Sequence, residues 1–325
     1  MSTQFQFVCL DNLVSEDHIY RKYKKLWNLK EVNNILAEIE EEKAADFKGY
    51  GLMRLFLCIL LQFIEDLSDR ELKEYLENNI AAKLFCEFDL SEKTPHFSLF
   101  TKIRNKIGTQ KISFIFNELK KQLKEKGYMN EFFTFIDASH LVSKAKLWEE
   151  RDKANQKKYD QLNNETLPKV AYDKQARIGC KGKNKFWYGY KKNVSVDMQS
   201  GMINKVAVSQ ANVIDSKAMK HVLPAQGAVY ADKGYCDKNA VFYAKKKLLH
   251  LASIKKNNMK DKNPDLDKYY SKMRAPYERV FSKQSHISKY KGIAKNQFSV
   301  FMQAIGHNLK RLVVLEANQL RFEQC

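Results

Sequence analysis

The chain has 325 residues, 44% of them hydrophobic, and a formal net charge of +19 at pH 7. The length predicts two domains, or one large domain with an insertion. No window approaches eighteen uninterrupted apolar residues, which excludes a membrane-spanning helix, and no basic segment followed by an apolar one opens the chain, so no signal peptide is expected. The six cysteines (Cys9, Cys58, Cys86, Cys180, Cys236, Cys325) form no Cys-x-x-Cys pair, so zinc is not expected and a reduced cytoplasmic setting fits. Residues 1–130 carry 20 basic and 20 acidic side chains, whereas residues 131–325 carry 37 and 18 and so hold the whole excess. A field of that size points to a polyanionic partner, and nucleic acid is the favoured class. A coding bias toward lysine would not leave the first 130 residues neutral.

The first part reads as helical. Asp17 to Trp27 and Glu31 to Glu42 carry apolar residues at helical spacing (Val32, Ile35, Leu36, Ile39), and Gly49-Tyr50-Gly51 breaks the pattern. Leu52 to Ile64 predicts a strongly buried helix. Ser68-Asp69-Arg70-Glu71 is a capping box that opens the next, which runs to about Asn78. Ser98 to Lys106 and Lys111 to Lys126 follow as helices. The segment from Lys93 to Lys126 has nine basic residues against Glu118 and Glu125, which suits either a helix-turn-helix DNA reader or a soluble bundle helix.

Gly127-Tyr128-Met129-Asn130 marks the boundary, giving domains at 1–129 and 130–325. Phe132 to Ile136 is a run of aromatic and β-branched residues, expected as a buried strand, and it meets Asp137. A basic insertion at about 143–190 contains Trp148, Lys181 and Lys183. Asn193 to Met198 and Met202 to Val208 form a hairpin about Gln199-Ser200-Gly201. Asp215 to Val222 is a short helix. Ala228 to Ala231 is a four-residue strand that again ends in an aspartate, Asp232. Asp237 to Lys247 is a helix, Leu248 to Ile254 a strand, and Lys255 to Lys268 a loop. Tyr270 to Ser282 is helical and carries Glu278, and Asn296 to Glu316 is a long amphipathic helix.

Two apolar strands thus end in aspartates, and a helix 46 residues after the second offers a glutamate. Carboxylates gathered at one point repel each other, and cations relieve that repulsion. Oxygen-only ligands select hard ions such as Mg²⁺ or Mn²⁺. Two such ions about 4 Å apart serve in-line displacement at phosphorus. Singly, each acid is more simply a turn or cap residue.

The ordered set resembles a known family, the DDE transposases of bacterial insertion sequences, in the superfamily of IS families 4 and 5. Phe135-Ile136-Asp137-Ala138-Ser139 is similar to the family's first-aspartate strand. Tyr188-Gly189-Tyr190-Lys191, with Val196-Asp197 and Gly201, is similar to its hairpin. Asp232-Lys233-Gly234-Tyr235 resembles its second-aspartate motif, and Arg274, Glu278, Arg279, Val280 and Phe281 its Arg-x-x-x-Glu helix. Asn308 to Arg311 resembles the closing helix, and Leu67 to Leu72 with Phe97 to Arg104 the N-terminal helical domain. Two family positions hold Ser271 and Ser285 instead of tyrosine and lysine, with Tyr270 and Lys283 near by.

The resemblance implies an α/β fold: an RNase H-like catalytic core, a mixed sheet flanked by helices, preceded by an all-helical domain for DNA binding or dimerisation. It implies Asp137, Asp232 and Glu278 as catalytic and metal-holding residues, with two Mg²⁺ ions or Mn²⁺ in their place. Arg274, Lys233, Lys283, Lys191, Lys181, Lys183 and Arg104 are the candidate DNA contacts. The partners implied are double-stranded DNA, as terminal inverted repeats and target, and a second copy of the chain in a homodimeric synaptic complex. No membrane partner or nucleotide cofactor is implied, and the setting is the bacterial cytoplasm at the nucleoid.

Other features carry less. The histidines have no metal-ligand spacing, although His140, three after Asp137, is a candidate support for it. Cys236 has no paired base, Asp197 reads as a hairpin turn, and no phosphate-binding glycine loop is present. Arg274 precedes Glu278 by one helical turn and is expected to fix it or to touch phosphate. Trp148, Trp187 and Tyr188 are core residues or stacking platforms for bases. Two other functions fit the residues: a non-catalytic DNA-binding protein or repressor derived from such an enzyme, and a metal-dependent nuclease on the same fold.

Overall fold

A computed structural model describes residues 9–43, 49–143, 164–165, 167–181, 185–257, 259, 262–282 and 286–323. The chain divides into two compact units, Met1–Gln122 with Ile305–Cys325, and Leu123–Ala304.

The first unit is helical: α1 (Ile19–Leu26), α2 (Lys30–Lys43), α3 (Leu52–Ile64), α4 (Asp69–Asn78), α5 (Ile80–Phe85) and most of α6 (Phe97–Glu125). Ten of the thirteen residues of α3 are buried, so this helix is apolar all round and forms the unit's centre. The capping box that opens α4 is formed: Ser68 Oγ accepts from Glu71 N and Glu71 Oε2 accepts from Ser68 N. Two helices were expected between 98 and 126. They are joined in α6, with a break at Gly108, whose backbone is non-helical (φ 64°, ψ −178°). In the C-terminal stretch of this unit, Lys310 Nζ donates to Ile64 O, an orphan carbonyl at the end of α3, at 2.5 Å.

The second unit is built on one mixed seven-stranded sheet. Its strands are β1 (Phe133–Ser143), β2 (Arg177–Lys181), β3 (Lys185–Asp197), β4 (Ile203–Gln210), β5 (Ala228–Ala231), β6 (His250–Ser253) and β7 (Ile287–Ser288). The order is β2-β3-β1-β5-β6, with β4 also paired to β3 and β7 to β1. β1, β3 and β4 form an antiparallel meander, and β5 and β6 continue it in parallel with β1. The flanking helices are α7 (Leu167–Val170), α8 (Asp215–Ala218), α9 (Lys238–Lys246), α10 (Pro264–Ser282) and α11 (Ile293–Glu323). A mixed sheet flanked by helices, after a helical N-terminal part, is the architecture expected of an RNase H-like core.

The hairpin between β3 and β4 turns where the sequence places it. Asp197 Oδ1 accepts from Ser200 N (2.9 Å) and Ser200 Oγ (2.8 Å), and Oδ2 accepts from Glu131 N (3.1 Å). Those donors compensate a carboxylate that is wholly buried. Under β5 lies a core of Ile136, Met219, Val222, Val229, Ala231, Tyr235, Ala240, Ala244 and Leu249. The alternation that buries Val229 and Ala231 also brings the chain out of the core at Asp232. Most of the basic insertion expected at about 143–190, including Trp148, lies outside the described residues.

One expectation is corrected. The strand was to end at Asp137, but β1 runs on to Ser143. It continues because β3 pairs with it through Val142 and β7 with its last two residues. What ends near Asp137 is the pairing with β5, whose last matched pair is Ile136 with Ala231.

Candidate active site

Asp137 and Asp232 follow that last pair on neighbouring parallel strands, which run about 4.8 Å apart. Asp232 keeps an extended backbone (φ −80°, ψ −176°), and its Oδ1 accepts from Gly234 N at 2.8 Å. Asp137 Oδ1 accepts from Ala138 N, also at 2.8 Å. Burial, and then the charge of Asp232, push the Asp137 carboxyl up to about 7, against the opposing pull of Ala138 N, Arg274 and Lys181. The two acids therefore share one part-buried corner in which both charges are costly without a cation.

Arg274 lies on α10, which packs against β1, β5 and β6. It is 8% exposed, and its guanidinium carbon stands 5.4 Å from the centroid of the Phe135 ring. This is a buried cation whose charge acts on Asp137. Glu278 falls one turn further along the same helix; its backbone is helical, and its side chain lies outside the described residues. Pro276 sits inside α10, where it removes a backbone donor. Tyr277, next to Glu278, donates its hydroxyl to Met198 O at the hairpin and so ties this stretch of helix to the sheet.

The other basic candidates separate. Lys181 is exposed at the end of β2, and its charge reaches Asp137. Lys233 is exposed, with Nζ 3.4 Å from Asn257 Oδ1. Lys191 is committed: its Nζ donates to Asp215 Oδ1 (2.7 Å) and Val213 O (2.9 Å). Lys183 and Lys283 lie outside the described residues. Arg104, expected at a DNA surface, is 8% exposed, and its guanidinium clamps Asp69 at 2.8 and 2.5 Å while also reaching Gln62 and Thr101. Its planar fork satisfies a carboxylate in the helical unit, so the structure gives it a packing role in place of DNA contact. His140 does not support Asp137 either. Three residues along a strand put the two side chains on opposite faces, and His140 stacks on His286 (4.7 Å) with Trp187 at 5.9 Å.

Two further residues stand at this corner: Tyr235, which the second-aspartate motif contains without a role, and Asp215, which no motif contains. Asp215, the first residue of α8, directs its carboxylate to the same place. Its Oδ2 lies 3.7 Å, and Asp232 Oδ1 3.0 Å, from the position that a Cβ would take on Gly234. Tyr235 is fully buried, and its hydroxyl has no hydrogen-bond partner among the described residues. Burial pushes that hydroxyl well above its ordinary value, and Asp215, Asp137 and Asp232 push it further. An aspartate opening a four-residue helix looks like any cap, so only the tertiary fold marks Asp215.

The donor set fits a hard divalent cation: two carboxylates meet at adjacent strand positions, one of them driven toward protonation by burial and by the other's charge. Among the described residues no group of three or more histidine, cysteine or acidic side chains is arranged to hold a metal, and the Glu278 carboxylate is not among those residues. Residues 133–309 match the family model described as Transposase DDE domain, and residues 8–106 match that described as Transposase domain (DUF772). No curated protein and no solved structure matches the chain.

Proposed function

Because the chain belongs to the DDE-domain transposases, we propose that Asp137, Asp232 and Glu278 are the three carboxylates with which it holds its metal. A transposase of this family cuts DNA and transfers the cut strand with the help of a divalent metal. The observation that carries the residue assignment is the meeting of Asp137 and Asp232 at the end of the β1–β5 pairing, with Asp137 raised by burial and then by its neighbour.

The proposed ions are two Mg²⁺, with Mn²⁺ able to replace them. When bound, they supply activation of the attacking oxygen and stabilisation of the leaving 3′ oxygen. The chain's own residues do the rest. One carboxylate oxygen of each acid accepts from a nearby backbone N–H, Ala138 N for Asp137 and Gly234 N for Asp232, which limits their reorganisation. Arg274 adds a buried positive charge that acts on Asp137, and one turn before Glu278 on α10 it would orient that residue or a backbone phosphate. Lys181 and Lys233 border the acids on the exposed side and are the described candidates for phosphate contacts. Lys183 and Lys283 extend that set.

The substrates we assign are the terminal inverted repeats of the protein's own element and a target duplex. Residues 1–129 would serve binding or dimerisation, residues 130–325 catalysis, and a homodimer would act in the synaptic complex at the bacterial nucleoid. Supporting this reading, the whole excess of positive charge lies in residues 131–325. The test is strand cleavage and strand transfer of a duplex carrying the element's ends in Mg²⁺, with Asp232→Ala beside the wild type. Cleavage and transfer lost in the variant support the assignment. Cleavage retained in Asp232→Ala removes that residue from the site, cleavage without transfer identifies a nuclease, and binding without cleavage identifies a repressor.

A further inference from the structure

We propose that Tyr235 is a positioning residue for the acid pair, its hydroxyl set against Asp137 and Asp232 by an anchor formed from Asp215 and Lys191. The inference rests on the metal-site reading above and adds residues to it.

The starting point is an orphan. Tyr235 is 0% exposed, packed by its ring into the core beneath β5, and yet its hydroxyl meets no hydrogen-bond partner among the described residues. A buried hydroxyl without a hydrogen bond is costly, and an all-apolar core would take phenylalanine at this position more easily. The charges that act on this hydroxyl are Asp215, Asp137 and Asp232, with Arg274 opposing them. It is therefore a buried donor within reach of the charges of the acid pair.

Asp215 is held by Lys191. Lys191 Nζ, 2.7 Å away, takes Oδ1 and is itself fixed by Val213 O. Next to it, Ser216 Oγ donates to Asp237 Oδ2 at 2.5 Å, which pins α8 to the start of α9. The remaining oxygen, Oδ2, lies 3.7 Å from where a Cβ on Gly234 would stand, and Asp232 Oδ1 lies 3.0 Å from it. A side chain on Gly234 would press on Asp232 Oδ1, so glycine leaves room for both carboxylates at this position. Asp215, Gly234 and Tyr235 thus gather beside the two acids. With a cation held by Asp137 and Asp232, the Tyr235 hydroxyl and the Asp215 carboxylate would bias how those two side chains rest. Partners of this kind behind metal-holding side chains govern affinity as well as rate.

The experiment uses the full-length protein and Mn²⁺ alone as the probe, with binding read by electron paramagnetic resonance and by the metal-induced rise in melting temperature. Tyr235→Phe keeps the ring in the core, so metal-free melting is expected to stay at the wild-type value or rise slightly. Its affinity for Mn²⁺ should fall by about 10- to 100-fold. Asp215→Asn, on a partly exposed helix, should weaken binding in the same direction. The double variant should lose less than the product of the two single losses, because the residues act as one unit. Wild-type Mn²⁺ affinity in both single variants, with binding lost in Asp232→Ala, overturns this proposal alone. Equal binding in the wild type and Asp232→Ala overturns both this proposal and the metal-site reading beneath it.

Discussion

Gly227→Ala is the substitution whose effect follows most directly from the backbone. Gly227 precedes β5 with φ +89°, in the region that favours glycine. A Cβ there would lie 2.2 Å from Phe132 O and 2.7 Å from Glu131 O. Comfortable carbon–oxygen contacts begin near 3.3 Å, so backbone must yield by about 1 Å. The atom in the way, Phe132 O, accepts from Ala228 N at 2.8 Å, the first hydrogen bond that docks β5 on β1. The strained φ costs about 1–2 kcal/mol and the lost bond about 1 kcal/mol, for a total of about 3 kcal/mol. For a unit of this size, that lowers the melting temperature by about 6–12 °C. Since β5 delivers Asp232, the same displacement should cut metal-dependent strand cleavage by about 100-fold. Thermal melting followed by circular dichroism, with nicking of a labelled duplex at a temperature where both proteins are folded, measures the two effects. A variant that melts within about 2 °C of the wild type and cleaves normally would refute the argument that β5 is docked through that carbonyl.

The remaining predictions address other parts of the chain. Asp69→Asn leaves the buried Arg104 without its charge partner, and should lower urea stability at pH 7 by about 3 kcal/mol. Burial raises the Asp69 carboxyl, but the hydrogen bond and charge of Arg104, with Gln62 and Thr101, more than reverse this and hold it below 3.8. A lowered folded value means that this stability is present above pH 3.8 and fades as pH falls through the folded value, so the gap between wild type and Asp69→Asn should close in acid. Arg274→Gln removes the buried cation beside Asp137 and should reduce cleavage by about 100-fold, measured as single-turnover rate at saturating metal. DNA affinity should fall steeply and linearly on a log–log plot against salt, and Lys233→Ala should make that slope shallower by about one. An unchanged slope would remove Lys233 from the phosphate contacts.

Residues that act through local patterns were legible in the sequence. Ser68 and Glu71 reveal a cap because both partners lie within four residues, and Asp197 reveals a turn for the same reason. The strands that end in Asp137 and Asp232 were visible as apolar runs meeting a charge. The strand extent was not: Asp137 to Ser143 is held in β1 by Lys185–Asp197 and by Ile287–Ser288, and such long-range pairing leaves no mark in the local composition. Arg104 and Lys191 show the same limit for charge. Each looks like a solvent-facing cation in the sequence, and each is claimed in the fold by an aspartate 35 or 24 residues away. Tyr235 is visible in the Asp-Lys-Gly-Tyr motif, but its place among the acids, like that of Asp215, emerges only when β5 and α8 are brought together. The return of Ile305–Cys325 to the first unit was likewise unreadable from helical periodicity, which says which face is apolar and not what covers it.

The account's central claim is that Asp137, Asp232 and Glu278 hold the same ion. Anomalous diffraction from crystals of the protein soaked in Mn²⁺ tests it most directly. The account predicts a peak about 2.2 Å from carboxylate oxygens of both aspartates, with Glu278 turned to the same peak or to a second one about 4 Å away. A peak elsewhere, or one held by Asp137 and Asp232 with Glu278 directed away from it, would contradict the claim.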